Sequence, residues 1–295
     1  MLSLDQEVFA KEIVHRLGQD QEKPAATPLS SQEKLTKFDG ESDPATVRDY
    51  QRIIGSLMYL MLGTRPDLAY AVGKLSRFSS NPSDEHALAI IRTVQYVCGT
   101  THLCLNYTRS NHGNPIGFTD SDWAGDTSDS KSTAGYLFMI GDAVFSWYSK
   151  KQGHVSTSTA DAEYTALFRG GEQAFWLRQL YQQIGLPFSA PLKLYCDNKS
   201  AIAIAKNQGT HSKSKAIRIE FHAVRDRINR HEIEVEYVRS KDNTADILTK
   251  SLPRDLFFAH RNSLGLTNVS EAITFFDSSN PETSDSTQHE DAFSP

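Results

Sequence analysis

The stretch GFTDSDWAGD, residues 117–126, follows an apolar run and places Asp120, Asp122 and Asp126 around Trp123. Taken alone, it fits either an Asp-rich surface turn or a site built to hold a cation. The choice depends on partners elsewhere in the chain. Around it, the short runs PIGFTDS, AGYLFMI and AVFSWYS are bounded by turn residues, and the last two meet at Gly141-Asp142, a favoured hairpin dipeptide. This spacing predicts an antiparallel meander. A long helix over about 158–184, strand LKLYC, helices KSAIAIAKNQ and KAIRIEFHAVRDRINR, strand IEVEYV and a short helix before Pro253 follow. Strands alternating with helices after a meander imply an α/β fold, more strictly α+β, with one mixed sheet and helices on its faces.

Upstream, apolar residues recur at helical spacing in YQRIIGSLMYLMLG and EHALAIIRTVQYVCG, which predicts two or three packed helices between residues 47 and 98. Ser83 is the expected start of the last of these and Gly99 its stop. Residues 1–45 open with an amphipathic pattern, Val8, Ile13, Val14 and Leu17, then turn polar and Pro-rich, as a linker does. With 39% hydrophobic and 23% charged residues among 295, the composition is that of a globular protein, and no window is apolar for long enough to span a membrane. The N-terminus lacks the features of a signal peptide, so an intracellular location is expected, in cytoplasm or nucleus. Cys98, Cys104 and Cys196 have no metal-type pairing and are expected to be reduced thiols. The net charge of −5 owes much to the segment after residue 268, which has several acids and no Lys or Arg. A local basic groove for nucleic acid remains compatible with that sum.

Asp120 ends the first strand of the meander and Asp197 ends LKLYC, so neighbouring strands would bring the two acids together. Asx turns would account for either alone. Glu163 falls on the small or apolar face of the long helix, with Leu167, Gly170, Ala174 and Leu177. A carboxylate aimed at a sheet needs a partner, a proton or a cation, unless it snorkels out at the helix start. Asp161 reads as a cap in Ser158-Thr-Ala-Asp161. Asp246 lies in the first turn of the last helix, with Thr244 as its expected cap, where acids also suit the helix dipole. Four acids at one sheet edge cannot all ionise without cations, and hard divalent ions with oxygen ligands resolve the repulsion. Such a site can hydrolyse a phosphodiester.

The segments GFTDSDWAGD…KSTAGYLF…SWYSKKQGHVSTSTADAEYTAL, LYCDNKSAIAIA and DNTADILTKSLP closely resemble the ribonuclease H domain of copia-type retrotransposon Pol polyproteins. IGSLMYLMLGTRPDLAYAVGKLSRF and YVCGTTHLCLNY resemble the region joining reverse transcriptase to that domain, and LSLDQEVFAKEIVHRLG…KPAATPL resembles late reverse transcriptase. The resemblance implies a five-stranded mixed sheet flanked by helices and preceded by a helical connection region. It divides the chain into a late reverse-transcriptase remnant with linker (1–45), a thumb or connection region (46–110), a ribonuclease H-like domain (112–253) and an acidic, disordered tail (254–295). It also implies that Asp120, Glu163, Asp197 and Asp246 bind two Mg2+ ions, which Mn2+ could replace, and cut the RNA strand of RNA–DNA hybrids. The remaining reverse-transcriptase part of Pol is an expected partner, and no membrane is.

Hybrids are read through backbone shape and 2′-hydroxyls, so polar and basic contacts are expected. Candidates are Lys150, Lys151, Gln152, Asn198, Ser200, Lys215, Arg218 and Arg225. The chain departs from the family at Ala216 and Arg218, where His and Asp are usual, and RSKDNTAD lacks the His that many cellular ribonucleases H carry before the last Asp. No YxDD-type polymerase motif is found, so DNA synthesis by this chain is not expected. The runner-up reading is a truncated or degenerate element copy that folds and binds nucleic acid without cutting it. A DxDx phosphatase fits poorly, because that family wants Thr or Val where Trp123 stands.

Overall fold

In a computed structural model, the described residues are 1–32, 34–108, 114–126, 128–188, 190–206 and 219–268, without the side chains of 219–221. In the N-terminal half, strand β1 (Leu2–Leu4) leads into helix α1 (Glu7–Arg16), an irregular stretch, α2 (Pro44–Gly63), α3 (Ala69–Leu75), α4 (Asp84–Cys98) and β2 (Leu103–Tyr107). Ser83 caps α4 in a capping box with His86, and Gly99 closes it. The meander consists of β3 (Ile116–Asp122), β4 (Thr133–Ile140) and β5 (Ala143–Lys151), with Gly141 at φ 60° in the predicted two-residue turn. After it come α5 (Thr159–Gln183), β6 (Leu192–Cys196), α6 (Lys199–Lys206), α7 (Ile219–Asn229), β7 (Ile233–Tyr237), α8 (Arg254–Ser263) and β8 (Leu266–Asn268).

The main sheet has the order β5-β4-β3-β6-β7: β3, β4 and β5 are antiparallel, while β6 and β7 run parallel to β3. This is the ribonuclease H-like five-stranded mixed sheet that the resemblance implies. Successive residues on a strand point to opposite faces. Leu137 on β4 accordingly joins the core of α1–α4, whereas Phe138 joins the core under α5, α6 and α7. Helices α1–α4 therefore cover one face of the sheet, and their apolar core crosses the expected boundary near residue 111. Trp147 Nε1 on β5 donates to the Met61 carbonyl at 3.1 Å, tying the sheet to α2.

Two features depart from the sequence reading. A second sheet, β1-β2-β8, joins the two ends of the described chain, and its short strands were not anticipated. The expected tail 254–295 begins too early, because its first residues form α8 and β8. Phe257, Leu264 and Leu266 are buried, and burial of these apolar side chains holds the segment against the connection core. The acidic stretch after residue 268 lies outside the described residues.

That core also contains a buried ion pair. Arg65 Nε and Nη2 donate to Asp67 Oδ1 and Oδ2 at 3.0 and 2.8 Å, Tyr96 Oη donates to Asp67 Oδ2 at 2.6 Å, and Arg65 Nη1 reaches the Thr100 carbonyl at 3.0 Å. Breaking such a pair strands the surviving charge in an apolar interior. Arg65→Ala should lower the unfolding free energy by about 3–5 kcal/mol, read from the urea midpoint by tryptophan fluorescence.

Candidate active site

The register of the sheet assembles the first two acids. Thr119 on β3 lies opposite Cys196 on β6, so Asp120 and Asp197 follow at adjacent strand tips. Helix α5 approaches β3 closely at Gly170, where an added Cβ would lie 2.6 Å from Thr119 Cγ2. That approach brings Glu163, in the helix's early turns, to the same tip. Asp246 arrives on a 3-10 turn, Thr244–Leu248, rather than on the α-helix that the sequence suggests. Asn243, not Thr244, caps this turn, and its Nδ2 donates to the Thr119 carbonyl at 3.0 Å. The turn is thereby pinned one residue from Asp120.

Ligand oxygens of Asp120, Asp197 and Asp246 lie within 4.8 Å of one another, and Glu163 and Asp197 share a second such group with Cys196. All four predicted acids are therefore together. Asp120 is 1% exposed and Glu163 4%. Burial, then Asp246, pushes Asp120 up to about 6. Burial, then Asp120 and Asp197, holds Glu163 well above the usual carboxylate range. Asp197 and Asp246 are raised as well, chiefly by burial. Glu163 Oε2 is buried without a hydrogen-bond partner. A donor set of crowded carboxylate oxygens, one of them unsatisfied, suits a hard divalent cation. The Cys196 thiol belongs to the apolar core, and burial first and Glu163 second push it up.

Sequence reasoning missed three residues that shape this site: Asn243, Thr249 and Lys250. Thr249 Oγ1 donates to Asp120 Oδ2. Lys250 Nζ lies 3.0 Å from Asp246 Oδ1 and 3.7 Å from Asp120 Oδ2. Burial works to discharge Lys250, but Asp120 and Asp246 outweigh it and keep the ammonium charged. Helical spacing was the available signal, since Thr249 and Lys250 stand three and four residues beyond Asp246.

The other acids of the opening stretch divide. Asp126 accepts from Arg77 at 3.0 Å and Lys151 at 2.5 Å. Its burial opposes ionisation, but the bonds from Lys151 and Ser128 overcome this and lower its pKa. Asp122 stays beside the site, raised by burial. Asp161 serves as a cap, accepting from Thr157 N at 2.9 Å while Ser158 Oγ accepts from Asp161 N.

The predicted substrate contacts are placed unevenly. Lys150 and Ser200 are exposed, whereas Lys151 is held by Asp126 and Asp129. Gln152 is buried, donating to Ser121 Oγ and the Ala162 carbonyl, so it braces β3 against α5 instead of facing solvent. Asn198 Oδ1 accepts from Ala201 N at the start of α6, and Arg225 Nε donates to the Ile204 carbonyl. Lys215 and Arg218 lie outside the described residues.

No family model matches the chain. Over 275 residues it is 38% identical to the retrovirus-related Pol polyprotein from transposon TNT 1-94 of Nicotiana tabacum, covering 90% of this chain and 20% of that protein. The corresponding polyprotein from transposon RE2 of Arabidopsis thaliana is 35% identical over 268 residues, 91% of this chain and 18% of its own. The chain belongs to the copia-type transposon Pol polyprotein family. It spans about a fifth of the length of these curated relatives. Among solved structures, LC11-RNase H1 isolated from compost is 17% identical, with 47% of this chain and 94% of that one covered at a TM-score of 0.36. The ribonuclease H-like domain of this Pol segment is defined by its strand order and flanking helices. Among the described residues, no helix is long and apolar enough to cross a membrane.

The raised carboxylates have a consequence for stability. A carboxyl group whose pKa rises on folding opposes the fold once pH exceeds its unfolded value, and the loss is complete above its folded value. For Asp120, raised from 3.8 to about 6, the cost above pH 6 is on the order of 3 kcal/mol. Without divalent cations, Asp120→Asn should therefore melt higher than the parent at pH 7.5, with the gain vanishing near pH 4. Saturating Mg2+ should reverse the order at pH 7.5, as differential scanning calorimetry would register.

Proposed function

We propose that this Pol segment hydrolyses the RNA strand of RNA–DNA hybrids endonucleolytically, as a ribonuclease H. The observation that carries this reading is the convergence of Asp120, Glu163, Asp197 and Asp246 at the tips of β3 and β6. Those four residues would hold two Mg2+ ions, with Mn2+ able to substitute. When bound, the ions supply Lewis-acid stabilisation of the charge that builds on the phosphodiester during attack by water. The chain's own groups do the positioning. Thr249 orients Asp120, Asn243 holds the Asp246 turn to β3, and Glu163 is kept in place by the close packing of α5. Lys250 remains a cation at neutral pH and limits the repulsion that substrate phosphate meets at the cluster. Reading by backbone and 2′-hydroxyl is compatible with the exposed polar groups at Lys150 and Ser200.

The test uses an end-labelled RNA–DNA hybrid with Mg2+. The parent should cut the RNA strand at internal positions and leave the same RNA alone or a DNA duplex intact. Asp197→Asn should reduce the rate by at least about 100-fold, a loss typical of removing a dominant electrostatic group, and EDTA should abolish it. Absence of Mg2+-dependent cleavage above the Asp197→Asn background would overturn the proposal.

A further inference from the structure

Beside the carboxylates lies a cleft of about 210 Å3 between the turn after β3 and the connection region. Lys34 of the irregular segment after α1, Lys74 of α3 and Arg77 of the 3-10 turn Ser76–Phe78 line one side. Asp122, Asp126 and Lys250 line the other. The lining thus carries four cations and two carboxylates, in a chain whose net charge is −5. The carboxylates do not cancel the excess. Asp126 is shared between Arg77 and Lys151, a further cation. Asp122 is half-buried, with the backbone at Gly125 packed against its carboxylate.

The walls are built rather than incidental. Ala124 holds φ at 52°, in the left-handed region that a residue with a side chain seldom adopts, and so folds the turn back on Asp122. A Cβ at Gly125 would fall 1.8 Å from Asp122 Oδ2, so the backbone at this position packs directly on that carboxylate. The aromatic rings of the cleft are already engaged: Phe78 stacks on His86 at 3.8 Å, and Lys74 lies over the Tyr70 ring at 5.8 Å. Recognition here is by charge, not by base stacking. Lys250 belongs to the cleft and also touches Asp246 and Asp120, so the two sites are contiguous.

We propose that this cleft is a second anion subsite, which holds a backbone phosphate of the hybrid near the phosphodiester presented to the carboxylates. The inference rests on the ribonuclease H reading and adds to it a role for the connection region. Lys34 and Lys74 lie outside the ribonuclease H-like domain, yet they share one ligand with it. Because the contact is to phosphate, it strengthens binding to every sequence alike and carries no base preference.

The experiment measures binding of a fluorescein-labelled RNA–DNA hybrid to the full chain by anisotropy, with Ca2+ replacing Mg2+, across a series of KCl concentrations. Lys34→Gln/Lys74→Gln should raise Kd about tenfold and flatten the slope of log Kd against log salt by about 1, the effect of one lost phosphate contact. Lys34→Gln alone, at an exposed position, should raise Kd about threefold and guards against a folding defect in the double variant. Lys11→Gln/Lys23→Gln removes two exposed charges that are not part of the cleft lining and should leave Kd and slope unchanged. If the parent cleaves the hybrid while both cleft variants keep its Kd and slope, the cleft proposal falls and the ribonuclease reading stands. Equal loss in the Lys11/Lys23 control would reduce the effect to bulk charge and overturn the subsite. A parent that neither binds nor cleaves the hybrid would overturn both.

Discussion

Asp120 and Asp197 occupy neighbouring strand tips while Glu163 and Asp246 press in from a helix and a 3-10 turn, so each ionised carboxylate raises the cost of ionising the next. A surface loop would relax under that repulsion. Here relaxation is blocked: the sheet register fixes Asp120 against Asp197, the tight passage of Gly170 over Thr119 fixes α5, and Asn243 fixes the turn that carries Asp246. The scaffold spends stability to keep like charges together, the kind of strain that functional sites store.

Both faces of the sheet contribute to that rigidity. α5, α6 and α7 cover one face, where Leu167 and Leu177 share a core with Leu194 and Val235 of the sheet, while α1–α4 cover the other, in a core with Leu137, Val144 and Leu248. Leu248 belongs to the turn that carries Asp246, so the core of α1–α4 reaches a residue one position before Thr249 and two before Lys250. The buried Arg65–Asp67 pair stiffens the same core from within. The two halves into which the resemblance to Pol divides the sequence are thus joined at the level of packing.

How much could be read in advance followed the range of the forces involved. Period-2 and period-3.6 patterns, the Gly141-Asp142 hairpin and the Ser83 and Ser158 caps depend on neighbours in sequence, and they were legible. Glu163 stood out because a charged residue interrupts an apolar face. Thr249 and Lys250 were hidden by their ordinary look on a helix exit, since their role exists only once β3 lies alongside. Gln152 misled for the opposite reason: an amide among lysines reads as surface, but three hydrogen bonds draw it inside. β1 and β8, of three residues each, are too short to show alternation, β2 is buried on both faces, and the partners of all three are remote. Val8, assigned to the apolar face of α1, is exposed, while Ala10, Ile13 and Val14 do the packing.

Those remote partners bear on the order in which the molecule is made. β2 is the central strand of its sheet, with Tyr107 opposite Leu2 and Leu105 opposite Leu266. During synthesis its first neighbour is already waiting, but the second emerges only after every carboxylate of the cluster has been translated. Until then β2 presents an open edge, and Val144 N lacks the Leu264 carbonyl that it meets in the finished fold. Non-local pairings of this kind close late. Final closure of the fold around the carboxylate cluster is therefore timed by a short strand that supplies none of its residues.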